Sequence, residues 1–231
     1  MISDLYTPKQ LEVLRTVLWR NDWRLLINYG AVRSGKTVID NDVFLMELRR
    51  IRKLADKLEV DEPMYILAGY SSKSLQNNVL QELTNKYGID FQFDKHGSFK
   101  LFGVKVVQTF TGSIAGLGAI RGMTSFGAYI NEASLANETV FNEILDRCSA
   151  PNSRIVCDTN PDVPTHYLKK DYIDNDDPNA GIISYHFTID DNKFLPSEYV
   201  KRKKAGTPTG MYYDRSILGL WVSGEGMVYR D

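Results

Sequence analysis

An α/β domain built on a mainly parallel sheet flanked by helices is the fold this sequence predicts, and three observations predict it. Short apolar runs alternate with stretches of helical periodicity along most of the 231 residues, the order that gives parallel strands joined by crossover helices. One strand-to-helix turn, Gly30–Thr37, reads GAVRSGKT and fits the P-loop pattern G-x-x-x-x-G-K-[ST] at every fixed position. Two later apolar runs, FGAYINEA (Phe126–Ala133) and SRIVCDTNP (Ser153–Pro161), end in polar residues, as strands do when they deliver side chains to the ligand-binding edge of an open sheet.

The elements follow in order. Leu11, Val13, Leu14, Val17 and Leu18 sit at near-helical spacing behind Thr7 and Pro8, which suit an N-cap and a first helical position. Leu25–Tyr29 is a short apolar strand. After the glycine-rich turn, Val38, Val43, Phe44, Leu48 and Ile51 give a long helix running to about Lys57. Met64–Tyr70 reads as a buried strand, and Ser72–Tyr87 as a helix stopped by Gly88. Phe91–Phe110 alternates around the His96-Gly97 and Phe102-Gly103 turns, which predicts an antiparallel β extension. A glycine-rich loop, Thr111–Ser125, leads into the FGAYINEA strand. Helices are expected at Glu138–Arg147, Thr165–Tyr172, Pro196–Ala205 and Pro208–Leu218, with a further strand at Ile182–Thr188. A strand intervening between the P-loop and FGAYINEA fits the additional-strand (ASCE) type of P-loop NTPase.

Bulk properties narrow the classes. With 43% hydrophobic and 25% charged residues, the chain has an ordinary globular composition and the length for one full core. No apolar run approaches a membrane span, and MISDLYTPKQ has neither the basic nor the apolar region of a secretion signal. Cys148 and Cys157 read as free thiols in a reducing compartment. A net charge of −1 is not that of a basic nucleic-acid coat, although a local DNA-tracking surface remains compatible with it. The runs Arg49–Lys53 and Lys201–Lys204 read as solvated helix faces, and His96, His166 and His186 as structural.

The chemistry converges on a phosphate. In such a loop main-chain amides and a helix N-terminus surround the anion. Gly30, Ser34 and Gly35 shape the loop, Lys36 reaches the β- and γ-phosphates, and the Thr37 hydroxyl holds Mg²⁺. Arg33, inside the loop, is expected to face the nucleotide or a nearby acid. Glu132 ends an apolar strand of the Walker B kind and is placed to activate water. Asn131 stands before it, where an Asp is usual, and brings no charge to the metal. Asp158, Thr159 and Asn160 end the next strand; turn chemistry explains them, and contact of Thr159 and Asn160 with the γ-phosphate is the alternative. Arg121 lies in a loop from which a guanidinium can be delivered to a transition state. No Asn-Lys-x-Asp motif is present, which disfavours GTP.

Together LYTPKQ, GAVRSGKT, GSIAGLGAIRG, FGAYINEAS, CDTNP and the closing GLWVSGEGMVYRD resemble the large terminase subunit of tailed bacteriophages, in that family's order and along nearly the whole chain. The resemblance implies an ATPase that drives double-stranded DNA into a prohead, with ATP and Mg²⁺ as ligands. It assigns Tyr6 and Gln10 to adenine recognition, and Gly30, Arg33, Gly35, Lys36 and Thr37 to the triphosphate. Glu132 would be the catalytic carboxylate, and Thr37, Asn131 and Glu132 would stand at the metal. Arg121 would be an arginine finger donated to a neighbouring subunit, and Thr159-Asn160-Pro161 the motif coupling hydrolysis to DNA movement. Portal protein, small terminase subunit and a homo-oligomeric ring are implied partners, with a monomer in isolation and the host cytoplasm as the setting. Residues 1–225 would form the motor domain, and 226–231 the start of a linker to a nuclease domain. An isolated motor domain, excised or from a split gene and without nuclease activity, is expected. A nucleotide-holding assembly scaffold and a small-molecule kinase are the competing readings.

Overall fold

The computed structural model describes residues 4–224; the expected linker at 226–231 lies outside them. Seven strands form one sheet: β1 (Leu25–Gly30), β2 (Met64–Gly69), β3 (Phe99–Leu101), β4 (Val104–Phe110), β5 (Gly127–Asn131), β6 (Arg154–Thr159) and β7 (Ile182–Phe187), in the order β3-β4-β2-β5-β6-β1-β7. Every neighbouring pair is parallel except β3–β4. The antiparallel extension is the short edge strand β3, folded back on β4 at Phe102-Gly103, where both residues take positive φ, with an isolated antiparallel bridge from Phe93 to Phe99.

The strand inserted between the P-loop strand and the acid-tipped strand is β6, which pairs with β1 on one side and β5 on the other. This order defines the additional-strand class and has a functional consequence. The ends of three different strands, at Gly30, Asn131 and Thr159, reach one edge side by side.

Alternation along the strands divides the core. Leu26 and Val156 pack with Val13, Leu14 and Val17 of α1 (Pro8–Trp19) and with Ile39 and Val43 of α2 (Lys36–Lys57). Ile27, Ile130 and Cys157 face the other way, toward Val140, Phe141 and Ile144 of α6 (Glu138–Arg147). The distal half of α2 buries Phe44, Leu48 and Ile51 against Tyr65 and Leu67, with Leu75, Val79, Leu80 and Leu83 beyond. Both sheet faces are covered, as a parallel sheet requires.

Two expected helices depart from regular form. Ser72–Tyr87 divides into α3 (Ser72–Leu75), a π-helical turn (Gln76–Leu80) and α4 (Gln81–Tyr87). The wider turn presents Asn78 to the end of β5, where its Nδ2 donates to Asn131 Oδ1 at 3.1 Å; such turns often mark functional sites. The stretch read as a helix at Thr165–Tyr172 is a π-helical turn at Leu168–Ile173. Short α5 (Leu117–Ile120), α7 (Ser197–Gly206) and α8 (Met211–Tyr213) complete the fold.

The basic run on α2 is largely spent within the protein. Arg50 pairs with buried Glu47 at 2.6 Å, Arg52 with Asp56 at 2.7 Å, and Arg49 lies over the Phe102 ring.

Candidate functional site

The P-loop forms because glycine is needed at both its ends. Gly30 has φ +137°, and a Cβ there would lie 1.9 Å from the Phe187 carbonyl oxygen. Gly35 has φ +92° and opens α2, and a Cβ there would lie 2.8 Å from Gln10 Nε2. Neighbouring segments hold the loop: Ala31 N–H donates to Phe187 O at 2.8 Å, Val32 N–H to Ser216 O at 3.2 Å, and Asn192 Nδ2 to Arg33 O at 2.7 Å. Lys36 lies inside the loop. Its Nζ donates to Ala31 O at 2.6 Å, Gly30 O at 3.0 Å, Ser34 Oγ at 3.2 Å and Asn160 Oδ1 at 3.2 Å. Burial lowers its pKa to about 8, against the opposing pull of Asp158 and Asp40.

Above the loop opens a cavity of about 540 Å³, lined by Arg33, Ser34, Gly35, Lys36 and Thr37 on one side and by Glu132, Asp158, Thr159 and Asn160 on the other. Its size and polar wall suit a nucleotide-sized ligand. Glu132 is half-buried, and its carboxylate has no hydrogen-bond partner among the described residues. Its pKa is raised by desolvation and then by the nearby Asp158. Its backbone is left-handed (φ +57°), as is that of Arg33 (φ +59°). Such strain in non-glycine residues persists where the surroundings enforce it and gathers at functional sites.

The structure brings Gly30, Arg33, Ser34, Gly35, Lys36, Thr37, Glu132, Thr159 and Asn160 to one edge. Asn131 is fully buried and absent from the cavity wall, because both ends of its amide are engaged: Oδ1 by Asn78, and Nδ2 by Asp158 at 2.9 and 3.1 Å. Gln10 touches the loop from behind, donating to Gly35 O at 2.9 Å while its Oε1 accepts from Thr7 N–H. Tyr6 does not line the cavity; its hydroxyl donates to Asp42 at 3.0 Å. Arg121 is exposed, does not line this cavity and has no side-chain partner among the described residues.

Asp158 is the residue that sequence reasoning passed over. It is buried on β6 and accepts from the Thr37 hydroxyl, the Glu132 main-chain N–H (2.9 Å) and Asn131. Burial raises its pKa, while these donors and Lys36 pull it down. The donor set here consists of hard oxygens, from a hydroxyl and carboxylates, the chemistry that suits Mg²⁺. Among the described residues no cluster of three or more His, Cys, Asp or Glu could hold a metal by itself.

Fold and site together define a P-loop domain of the additional-strand type. The family described as phage terminase large subunit matches residues 73–213, more than half of the chain, and the protein belongs to that family. Among solved structures it is similar to the large terminase of a thermophilic bacteriophage, with 25% identity and a TM-score of 0.77 over 97% of this chain. The same phage protein in complex with ATP-gamma-S matches at 27% identity and a TM-score of 0.74 over 94% of this chain. The ATPase domain of the Thermus phage P74-26 large terminase, at 13% identity, shares the fold over 92% of each chain with a TM-score of 0.58. The chain spans 56% of the thermophilic-phage terminase in the first of these matches. No curated protein sequence matches it.

Proposed function

We propose that this domain is a Mg²⁺-dependent ATPase that drives double-stranded DNA into a viral prohead. The observation that carries this is the facing of an unpartnered carboxylate, Glu132, and a glycine-bounded amide loop across one cavity of the described residues. A carboxylate desolvated to a raised pKa, within reach of a phosphate cradle, is equipped to take a proton from water. The ATP-gamma-S complex of the thermophilic-phage terminase supports the choice of ligand.

The residues divide the work as follows. Lys36 exchanges its present partners, the loop carbonyls, for phosphate oxygens. Thr37 offers its hydroxyl to Mg²⁺, which neutralises charge on the phosphates when bound. Arg33 lies exposed on the cavity wall, from which its guanidinium can reach the nucleotide. Glu132 orients and deprotonates the attacking water. Asn160, bonded to Lys36, registers the state of the phosphates. Thr159 passes it on, since its Oγ1 accepts from Ser134 N–H at 2.9 Å, two residues beyond Glu132. Arg121 acts on the nucleotide of a neighbouring subunit in a ring, a role that its exposure and its absence from its own cavity wall support.

DNA, portal protein and small terminase subunit are the partners in this reading, with the host cytoplasm as the setting, and family membership supports it. The scaffold reading drew on Asn131, and a carboxylate at Asp158 beside Thr37 weakens that ground. Phosphate release measured with and without duplex DNA tests the proposal. DNA-stimulated release is expected, and nucleotide binding without release would favour the scaffold.

A further inference from the structure

The missing charge at position 131 has a counterpart one strand away. Parallel register pairs Ile130 with Cys157 and Asn28 with Asp158, so Asp158 stands next to Asn131 across the sheet and one strand closer to the P-loop. From there its Oδ2 accepts the Thr37 hydroxyl and its Oδ1 the Glu132 main-chain N–H. One carboxylate thus fastens both the hydroxyl expected at the metal and the backbone of the residue expected to activate water.

Asn131 is shaped to serve that carboxylate. Its Oδ1 accepts from Asn78 Nδ2, which turns Nδ2 of Asn131 toward both Asp158 oxygens. Asn78 is held in turn: its main-chain oxygen accepts from Asn41 Nδ2 at 2.9 Å, and Asn41 Oδ1 accepts from the Tyr129 hydroxyl at 3.1 Å. The Asn131 amide is thus oriented by the Asn78 side chain, Asn78 is held through its backbone by Asn41, and the Asn41 amide is oriented by Tyr129. An aspartate at 131 would oppose Asp158 with a second negative charge within hydrogen-bonding distance, and two carboxylates so placed cannot both stay ionised. An asparagine donates instead. The pair reads as one acid and one orienting amide, with the acid on β6 rather than at the end of β5, where an Asp is usual.

We infer that Asp158 supplies the carboxylate that anchors the nucleotide-bound Mg²⁺, acting on the Thr37 hydroxyl and on water held by the ion, and that Asn131 is its positioning residue. The inference rests on the magnesium–nucleotide reading above. The bland alternative is that Asp158 is only a buried clasp for Thr37 and Glu132.

The test compares the affinity for ADP with Mg²⁺ present against that in EDTA, by calorimetry on the folded chain. The ratio isolates the metal and needs no turnover. In Asp158→Asn the metal enhancement, a ratio that cancels any change in metal-free affinity, is expected to fall about tenfold, the lower end for loss of a supporting partner at a metal site. The double exchange Asn131→Asp with Asp158→Asn keeps one carboxylate and one amide at the junction, and is expected to restore the enhancement to within about threefold of the wild type. It also carries the test should the single variant fail to fold. A wild-type enhancement in folded Asp158→Asn would overturn the assignment. So would a folded double exchange with no enhancement, or losses in Asp158→Asn equal with and without metal. A wild-type protein whose ADP affinity ignores Mg²⁺ would instead overturn the magnesium–nucleotide reading, and this assignment with it.

Discussion

Gln10 donates its side-chain amide to the main-chain oxygen of Gly35 at 2.9 Å, so the first helix grips the phosphate loop from outside. The same amide accepts from Thr7 N–H and closes the capping box of α1, and both its functions are served without a base. Gln10→Ala is therefore expected to weaken ATP and GTP alike, by about 1 kcal/mol or roughly fivefold, the worth of one such bond. Competition binding with the two nucleotides checks this, and a loss confined to ATP would assign Gln10 to the adenine.

Gly30→Ala meets a harder obstacle. The added Cβ would lie 1.9 Å from Phe187 O at φ +137°, and the atom in the way is backbone. The loop or the end of β7 must move. A loss of at least about 2 kcal/mol is expected, together with loss of nucleotide binding. Thermal unfolding and a fluorescent-nucleotide titration read both.

Asp42 gathers three donors on one buried carboxylate: Tyr6 Oη at 3.0 Å, Tyr87 Oη at 2.8 Å and Lys86 Nζ at 2.7 Å. These tie the N-terminal segment to α2 and α4, and burial together with Asp42 raises the Tyr6 pKa to about 12. Asp42→Asn leaves Lys86 without its counter-charge and is expected to cost about 2–4 kcal/mol, measured by urea unfolding. A change under about 0.5 kcal/mol, the range of ordinary surface substitutions, would show the cluster to be incidental.

Asp40 is fully buried beneath the loop, where its Oδ1 accepts from Asn28 Nδ2 at 2.6 Å. Asp40 Oδ2 and Asn28 Oδ1 both lack partners among the described residues, and a proton on Oδ2 gives that acid a donor for Asn28. Burial, reinforced by Asp158, holds the Asp40 pKa well above the usual carboxylate range. The folded protein then binds one more proton than the unfolded chain above pH ~4, so this group's effect on stability worsens as pH rises toward the folded pKa. Asp40→Asn mimics the protonated acid. It is expected to raise the melting temperature at pH ~8 and to lose that advantage near pH ~4.5, in paired melts on either side of that range. An equal effect at both would mean that Asp40 is ionised in the native state.

Much of this was legible in the chain. β1, the P-loop and α2 follow from an apolar run, two spaced glycines and helical periodicity, all local signals. β5 and β6 are short apolar runs with polar ends. Their sheet order is not local: that β6 enters between β1 and β5 depends on pairings across the whole chain. For this reason Asp158 read as turn chemistry, since only the register with β5 sets it beside Asn131. The π-helical turn at Gln76–Leu80 has no pattern distinct from an ordinary helix, and Asn78 had no visible role. Tyr6 was assigned by resemblance to the adenine, and nothing in the chain announced a partner at Asp42. Two of the histidines hold backbone carbonyls of short helical turns, His166 on Ser134 O and His186 on Leu218 O, as side chains with a structural role do.

In the proposed function, Glu132 activates water against a phosphate gripped by the loop that Lys36 completes. Radiolabelled ATP binding and phosphate release, measured together on Glu132→Gln, test this most directly. Binding should stay within about twofold of the wild type while release falls at least about a hundredfold, the scale expected of a general base. A Glu132→Gln protein that still releases phosphate at the wild-type rate would contradict it.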